Sequence, residues 1–130
     1  LGSKHVMVVH GLDGLDELSI SGPTLVGELA KGEINEYQFH PSSVGMELYD
    51  RRAIEVHTVG ESKAMIQAVL ENQPGPAHNI VALNAGAAIY VAGVAPSLKA
   101  GVERAQQAIK SGAAKQKMEA FVSFSQKLKK

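Results

Sequence analysis

The stretch Lys4-His5-Val6-Met7-Val8-Val9-His10-Gly11-Leu12-Asp13-Gly14-Leu15-Asp16-Glu17 decides how the rest of the chain is read. Lys4 to Val9 is a short apolar run rich in β-branched valine and reads as a buried strand. Gly11 and Gly14 follow closely and favour a turn with unusual backbone angles. Open α/β sheets tend to place ligands in loops at the ends of such strands. Asp13, Asp16 and Glu17 are therefore expected to cluster at the mouth of a site.

Carboxylate oxygens are hard ligands, and they suit Mg²⁺. That ion usually takes one or two protein carboxylates, several waters and substrate phosphate. The residue types alone also admit a solvated turn or a helix start. The spacing does not fit an EF-hand loop, which needs acidic or amide residues at alternate positions, then a glycine and a distal Glu. No G-x-x-x-x-G-K-[ST] phosphate loop occurs anywhere.

Outward from this stretch, Thr24-Leu25-Val26-Gly27-Glu28-Leu29 and Ile34-Asn35-Glu36-Tyr37-Gln38-Phe39 flank Lys31-Gly32. Two strand-like runs around a glycine turn predict a β-hairpin, with Tyr37 and Phe39 on one face covering core. His40-Pro41-Ser42-Ser43 breaks the second run, because proline cannot donate to a ladder. Residues 44–59 mix charge with scattered apolar positions and read mostly as loop with a short helix.

Four helices are predicted after that. Glu61 to Asn72 carries Met65, Ile66, Val69 and Leu70 on one stripe. Pro76 suits the first turn of the next helix. Ala77 to Val91 is apolar nearly all round, so it should be the most buried helix. Gly86 inside it costs about 1 kcal/mol against alanine unless close packing offsets that cost. Ser97 is a natural N-cap for Leu98 to Lys110. Ala113 to Lys127 closes the set, with Met118, Phe121, Val122 and Leu128 expected inward.

The 130 residues fit one globular unit. Thirteen basic and thirteen acidic residues cancel, which argues against a broad nucleic-acid footprint. The chain has no cysteine, so disulfides and thiolate metal sites are excluded. No apolar run approaches a membrane span and no signal-peptide shape begins at Leu1, so the cytoplasm is the expected compartment. Asn84 within an apolar helix reads as a buried amide bonded to a neighbouring loop. His5, His40, His57 and His78 are dispersed without metal-ligand spacing. Lys127, Lys129 and Lys130 read as a solvated helix end, and Arg51-Arg52 as an exposed loop pair.

The blocks Val8-His10-Gly11-x-Asp13-Gly14-Leu15-Asp16-Glu17 and Ser21-Gly22-Pro23-Thr24 closely resemble the metal-binding segment of the anthranilate phosphoribosyltransferase family. The likeness continues through Leu83-Asn84-Ala85-Gly86-Ala87-Ala88-Ile89-Tyr90-Val91-Ala92-Gly93. It extends to Ser97-Leu98-x-x-Gly101-Val102-x-x-Ala105 and to Ala108-Ile109-x-Ser111-Gly112-x-Ala114, in the family's order and approximate separations. The resemblance implies an α/β fold: the C-terminal part of the large α/β domain of the nucleoside phosphorylase/phosphoribosyltransferase fold, strands and hairpin first and helices after. It implies that Asp16 and Glu17 hold Mg²⁺, directly or through water; His10 and Gly11 are the substrate-binding candidates, His10 either contacting pyrophosphate or holding the loop by a backbone hydrogen bond.

The substrates so implied are 5-phosphoribosyl diphosphate and anthranilate, joined with release of pyrophosphate in tryptophan biosynthesis by a homodimeric parent enzyme. Neither a membrane nor a nucleic acid is expected as partner. The family's glycine-rich G-T-G-G-D loop, its H-G-N segment, its anthranilate-side arginine and its helical N-terminal domain have no counterpart in residues 1–130. The chain therefore reads as a C-terminal portion of a longer enzyme, inactive by itself. Two alternatives share the scaffold: a pyrimidine nucleoside phosphorylase, and a non-enzymatic nucleic-acid-binding relative. The second would want a basic groove, which the neutral charge disfavours. The D-G-L-D-E and N-A-G-A-A blocks favour the transferase over the phosphorylase.

Overall fold

The computed structural model describes residues 2–128, so Lys129 and Lys130 of the basic tail lie outside the described residues. Three strands come first: β1 (His5–Gly11), β2 (Thr24–Ala30) and β3 (Glu33–Phe39). They form an antiparallel sheet in the order β1-β2-β3. Gly11 pairs with Thr24 and His5 with Ala30; Thr24 pairs in turn with Phe39, and Ala30 with Glu33. The hairpin at Lys31-Gly32 forms as expected. Its two turn residues have φ of 53° and 82°, the positive pair of a type I′ turn, whose twist matches that of the flanking strands.

β1 differs from its sequence reading in two ways. It runs through Gly11 rather than stopping at Val9, and it is covered on one face only, with Val8 68% exposed. The cause is the antiparallel arrangement. A sheet of this kind packs one face on the core and leaves the other to solvent, so alternate residues divide: Met7 and Val9 join the core while Val8 and His10 face away. The strand-end rule for open parallel sheets therefore does not position the acidic loop. Residues 12–23 instead connect two antiparallel neighbours, and the loop's own packing must fix its shape.

That packing is not foreshadowed by the sequence pattern. Leu18 and Ile20, two residues apart in this loop, are fully buried, and they join Val26, Phe39, Ile80 and Leu83 in one hydrophobic cluster. The loop thus supplies part of the core beneath the sheet. Phe39 is buried as expected, but Tyr37 on the same face stays partly exposed. Its hydroxyl donates to Glu28 at 2.9 Å, and Tyr90 donates to the same carboxylate at 2.7 Å. His5 Nε2 lies 2.8 Å from it, which ties all three strands to the second helix.

Short 3₁₀ turns at Pro41–Val44 and Arg51–Ile54 lead into four helices: α1 (Val59–Leu70), α2 (Pro76–Val91), α3 (Leu98–Lys110) and α4 (Ala113–Lys127). α1 begins two residues earlier than Glu61, because Thr58 and Glu61 form a reciprocal capping box. It also ends earlier, at Leu70, with Asn72 beyond it in a left-handed conformation. α2 buries Ile80, Ala82, Leu83 and Gly86, and only one strip, Val81, Ala85 and Ala88, is exposed. Ser97 caps α3 through the Ala100 N–H at 3.2 Å.

α2 and α3 meet through glycines. A Cβ at Gly86 would stand 2.5 Å from the Val102 backbone, and one at Gly101 would stand 2.2 Å from the Gly86 carbonyl oxygen. Helix axes can approach this closely only where one side chain is a hydrogen, which accounts for the glycine in the middle of α2.

α4 contradicts its sequence reading. Met118, Phe121, Val122 and Leu128, expected inward, are all exposed, Phe121 to 65%. Met118 and Val122 face Val59, Ile66 and Leu70 of α1 across an open groove. Helical periodicity identifies the apolar stripe correctly, but nothing among the described residues covers it. No described helix is long and apolar enough to cross a membrane.

Candidate functional site

The acidic loop is closed on itself before it meets anything else. Leu12 N–H donates to the Pro23 carbonyl at 3.0 Å, joining the two ends of the connection, and Gly11 N–H donates to the Leu15 carbonyl at 2.9 Å. Gly14 N–H returns to the Gly11 carbonyl at 2.9 Å, with Gly14 at φ 92°, a left-handed geometry that glycine adopts without a Cβ penalty. A Cβ at Gly11 would stand 2.5 Å from Asp13 Oδ1, so a side chain there would displace the carboxylate.

Asp13 is the centre of this arrangement. Its Oδ1 accepts the Leu15 N–H at 3.2 Å, and its Oδ2 accepts the hydroxyls of Ser19, at 2.6 Å, and Ser21. Desolvation pulls the Asp13 pKa upward, but the two hydroxyls and the Leu15 amide outweigh it and hold the group below its ordinary value. Ser19 is itself fully buried, and its N–H donates to Thr24 Oγ1 at 3.0 Å. The three-carboxylate cluster expected from the sequence is therefore not what forms. Asp13 is turned inward, and among the described residues no group of three His, Cys, Asp or Glu side chains gathers to hold a metal.

Asp16 is exposed and Glu17 half-buried at the outer side of the loop. Desolvation, and then the neighbouring charge of Asp16, push the Glu17 pKa up. Two adjacent carboxylates with no cation among their partners in the described residues form a hard-oxygen donor pair of the kind that takes Mg²⁺ together with phosphate oxygens. The pair is followed at once by a clamp. Asn84 Oδ1 accepts the Leu18 N–H at 2.9 Å, and its Nδ2 donates to the Leu18 carbonyl and the Ile80 carbonyl, each at 3.0 Å. The sequence suggested a buried amide bonded to a loop; the amide is half-buried, and the loop it holds is the acidic one.

The other candidates separate. His10 is exposed on the outer sheet face, where it borders a shallow depression with Val8, Leu25, Gly27, Glu36 and Gln38. Gly11 is buried and spends both its N–H and its carbonyl inside the loop. Arg51 reaches back to the loop, with Nη1 3.4 Å from the Asp13 carbonyl oxygen, and is also 3.7 Å from Glu55. Arg52 pairs with Asp50 at 2.7 Å. Sequence reasoning passes over Ser19, Ser21 and Leu18 as partners. The available signal is local: an Asp followed within eight residues by two serines, alternating with Leu18 and Ile20 that turn inward.

The shifts set an acid-side prediction. Glu28, like Asp13, is raised by desolvation but brought below its ordinary value by hydrogen bonds from Tyr90, His5 and Tyr37. A depressed carboxylate contributes stability above its unfolded pKa, 3.8 for Asp13 and 4.5 for Glu28, and loses it as pH falls through the folded value. Glu17 runs the other way, since its raised folded pKa makes its ionised form a cost that acidification relieves. Urea midpoints should fall steeply below about pH 4. Asp13→Asn and Glu28→Gln should flatten that fall, and Glu17→Gln should raise the midpoint at neutral pH.

Known proteins match the chain at the level of family, sequence and fold. The profile of the glycosyl transferase family, a/b domain, matches residues 1–115. The chain is 55% identical over 128 residues to anthranilate phosphoribosyltransferase of Laribacter hongkongensis, covering 98% of this chain and 37% of that protein. Among solved structures, the anthranilate phosphoribosyltransferase of Thermus thermophilus superposes with a TM-score of 0.83 at 37% identity, over 92% of this chain and 35% of its own. The Saccharomyces cerevisiae enzyme in complex with PRPP and Mg superposes with a TM-score of 0.83 at 23% identity, over 94% and 35%. That likeness bears on the fold alone. The chain spans little more than a third of the length of the curated relatives it matches.

Proposed function

Because the chain belongs to the glycosyl transferase family, whose a/b domain its residues 1–115 match, we propose that it is the C-terminal, magnesium-holding part of an anthranilate phosphoribosyltransferase. The full enzyme would join the amine of anthranilate to C1 of 5-phosphoribosyl diphosphate, forming a C–N bond as the C–O bond to pyrophosphate breaks. The observation that carries this reading is the Asp16-Glu17 pair, exposed at Asp16 and half-buried at Glu17, on a loop fastened on both sides. It is supported by the 55% identity to a protein of that name.

In this reading Asp16 and Glu17 hold Mg²⁺, directly or through water. When bound, the ion neutralises charge that builds on the departing pyrophosphate and fixes the diphosphate's orientation. The chain's own residues supply placement. Gly11 lets the Asp13 carboxylate close the loop, so it serves the substrate side through loop shape, and His10 lies exposed at the loop's entrance. No residue of this chain needs to be a nucleophile, since the amine of anthranilate fills that role, and positioning and electrostatics carry the rate. The same family resemblance supports a homodimeric parent working in the cytoplasm.

The test is a direct assay. A full-length enzyme containing this chain should consume anthranilate only when both 5-phosphoribosyl diphosphate and Mg²⁺ are present. The 130-residue chain alone should show no measurable transfer, because residues 1–130 contain no glycine-rich loop whose backbone amides could cradle a diphosphate. Transfer by the isolated chain, or turnover by the full enzyme on a nucleoside and phosphate instead, would overturn the reading.

A further inference from the structure

We infer that Asp13 is a positioning residue, and not a metal ligand, for the magnesium pair that the proposed function assigns to Asp16 and Glu17. The inference rests on that assignment. Among the described residues, Asp13 alone of the loop's three carboxylates has its oxygens occupied by protein donors: the Leu15 N–H on Oδ1, and the Ser19 and Ser21 hydroxyls on Oδ2. Charge-assisted bonds of this kind are shorter and stronger than neutral ones, and a carboxylate so engaged has little capacity left for an ion.

Where those bonds land matters more than their number. Leu15 precedes Asp16 directly, so Asp13 fixes the backbone on one side of the pair. Leu18 follows Glu17 directly, and the Asn84 amide fixes the backbone there through both the Leu18 N–H and its carbonyl. Asp16 and Glu17 therefore occupy a two-residue span anchored at each end. Ser19 and Ser21 extend the anchor into the core, because Ser19 is buried between Leu18 and Ile20 and its hydroxyl also accepts the Ser21 N–H at 3.0 Å. Gly11 completes the arrangement by leaving room for Asp13 Oδ1. Carboxylates that must present oxygens to a small octahedral ion gain from such fixing, since groups that orient metal ligands are worth 10- to 100-fold in affinity or activity.

The experiment uses the full-length enzyme with Mn²⁺ as the ion and inorganic pyrophosphate as the diphosphate, reading free Mn²⁺ by electron paramagnetic resonance. Asp13→Ala should weaken Mn²⁺ about 10-fold or more while the number of sites per folded chain stays the same. Ser21→Ala, a milder change that keeps the carboxylate, should weaken it in the same direction by less, and it carries the test if Asp13→Ala does not fold. A purely structural role would lower the number of competent sites and leave the Kd of the remainder unchanged; that result overturns the inference. So would abolition of Mn²⁺ binding by Asp13→Ala to the same degree as by Asp16→Asn/Glu17→Gln, the behaviour of a direct ligand. If Asp16→Asn/Glu17→Gln binds Mn²⁺ normally, the proposed metal pair itself falls. If that double variant loses Mn²⁺ while Asp13→Ala and Ser21→Ala keep it, only the positioning role falls.

Discussion

A full-length enzyme carrying Asp16→Asn and Glu17→Gln is expected to lose about 10³-fold or more in kcat/KM while its fold and melting temperature stay close to those of the parent. The substitutions preserve size and hydrogen-bonding shape and remove only charge. At a metal site that neutralises a leaving diphosphate, such charge is worth several kcal/mol in the transition state, and about 4 kcal/mol corresponds to a 10³-fold rate. An exposed acidic pair without function would change stability by only about 0.5 kcal/mol and activity not at all. The raised Glu17 pKa reinforces the contrast, because desolvation and the Asp16 charge make the ionised pair a local cost in the absence of a cation. Neutralising the pair should leave the protein as stable as before or slightly more so, even as turnover disappears. Steady-state kinetics across a Mg²⁺ series, with a thermal melt of each variant, read both quantities.

Gly86→Ala should destabilise the fold by about 3 kcal/mol, a lowering of the melting temperature on the order of 10 °C. In an exposed helix the same change would stabilise by about 1 kcal/mol, because alanine is the better helix former. The packing reverses the sign. The added methyl group would stand 2.5 Å from the Val102 Cα and backbone nitrogen, atoms that cannot rotate away, so α2 and α3 must separate. That separation loosens Leu83, Val102 and Ala105, all buried at or near this contact. Gly101→Ala should be at least as damaging, its Cβ falling 2.2 Å from the Gly86 carbonyl oxygen. A Gly86→Ala protein that melts at or above the parent temperature would show that the helices are not held at this distance.

The parts of this fold that are legible in the sequence are those governed by neighbours along the chain. The Lys31-Gly32 turn, the Ser97 cap, Pro76 at the start of α2 and the α3 and α4 boundaries follow from local rules, and the structure agrees with each. Asn84 also reads correctly as an amide bonded to a neighbouring loop, though it is half-buried where burial was expected, because an apolar helix leaves a polar side chain few alternatives to a nearby backbone. Readings that depend on what lies across space are less secure. Val8 looks buried in the sequence because a valine run does not reveal whether one or both faces of its sheet are covered. Phe121 and Leu128 look inward because periodicity finds an apolar stripe but not its partner, and no described element covers that side of α4. The acidic loop mixes the two. Its residue types admit a cation site or a solvated turn, but that Asp13 turns toward Ser19 and Ser21, with Asp16 exposed and Glu17 half-buried, depends on Leu18 and Ile20 reaching into the core.

The metal pair is tested most directly by the position of bound manganese in a crystal of the full-length enzyme grown with pyrophosphate and Mn²⁺, located by anomalous scattering. The anomalous peak is expected beside Asp16 and Glu17, in direct contact with a carboxylate oxygen or one water layer beyond it, with Asp13 still bonded to Ser19 and Ser21. A peak coordinated by Asp13, or a diphosphate-bound ion with neither Asp16 nor Glu17 in its coordination or bridging-water shell, would contradict it.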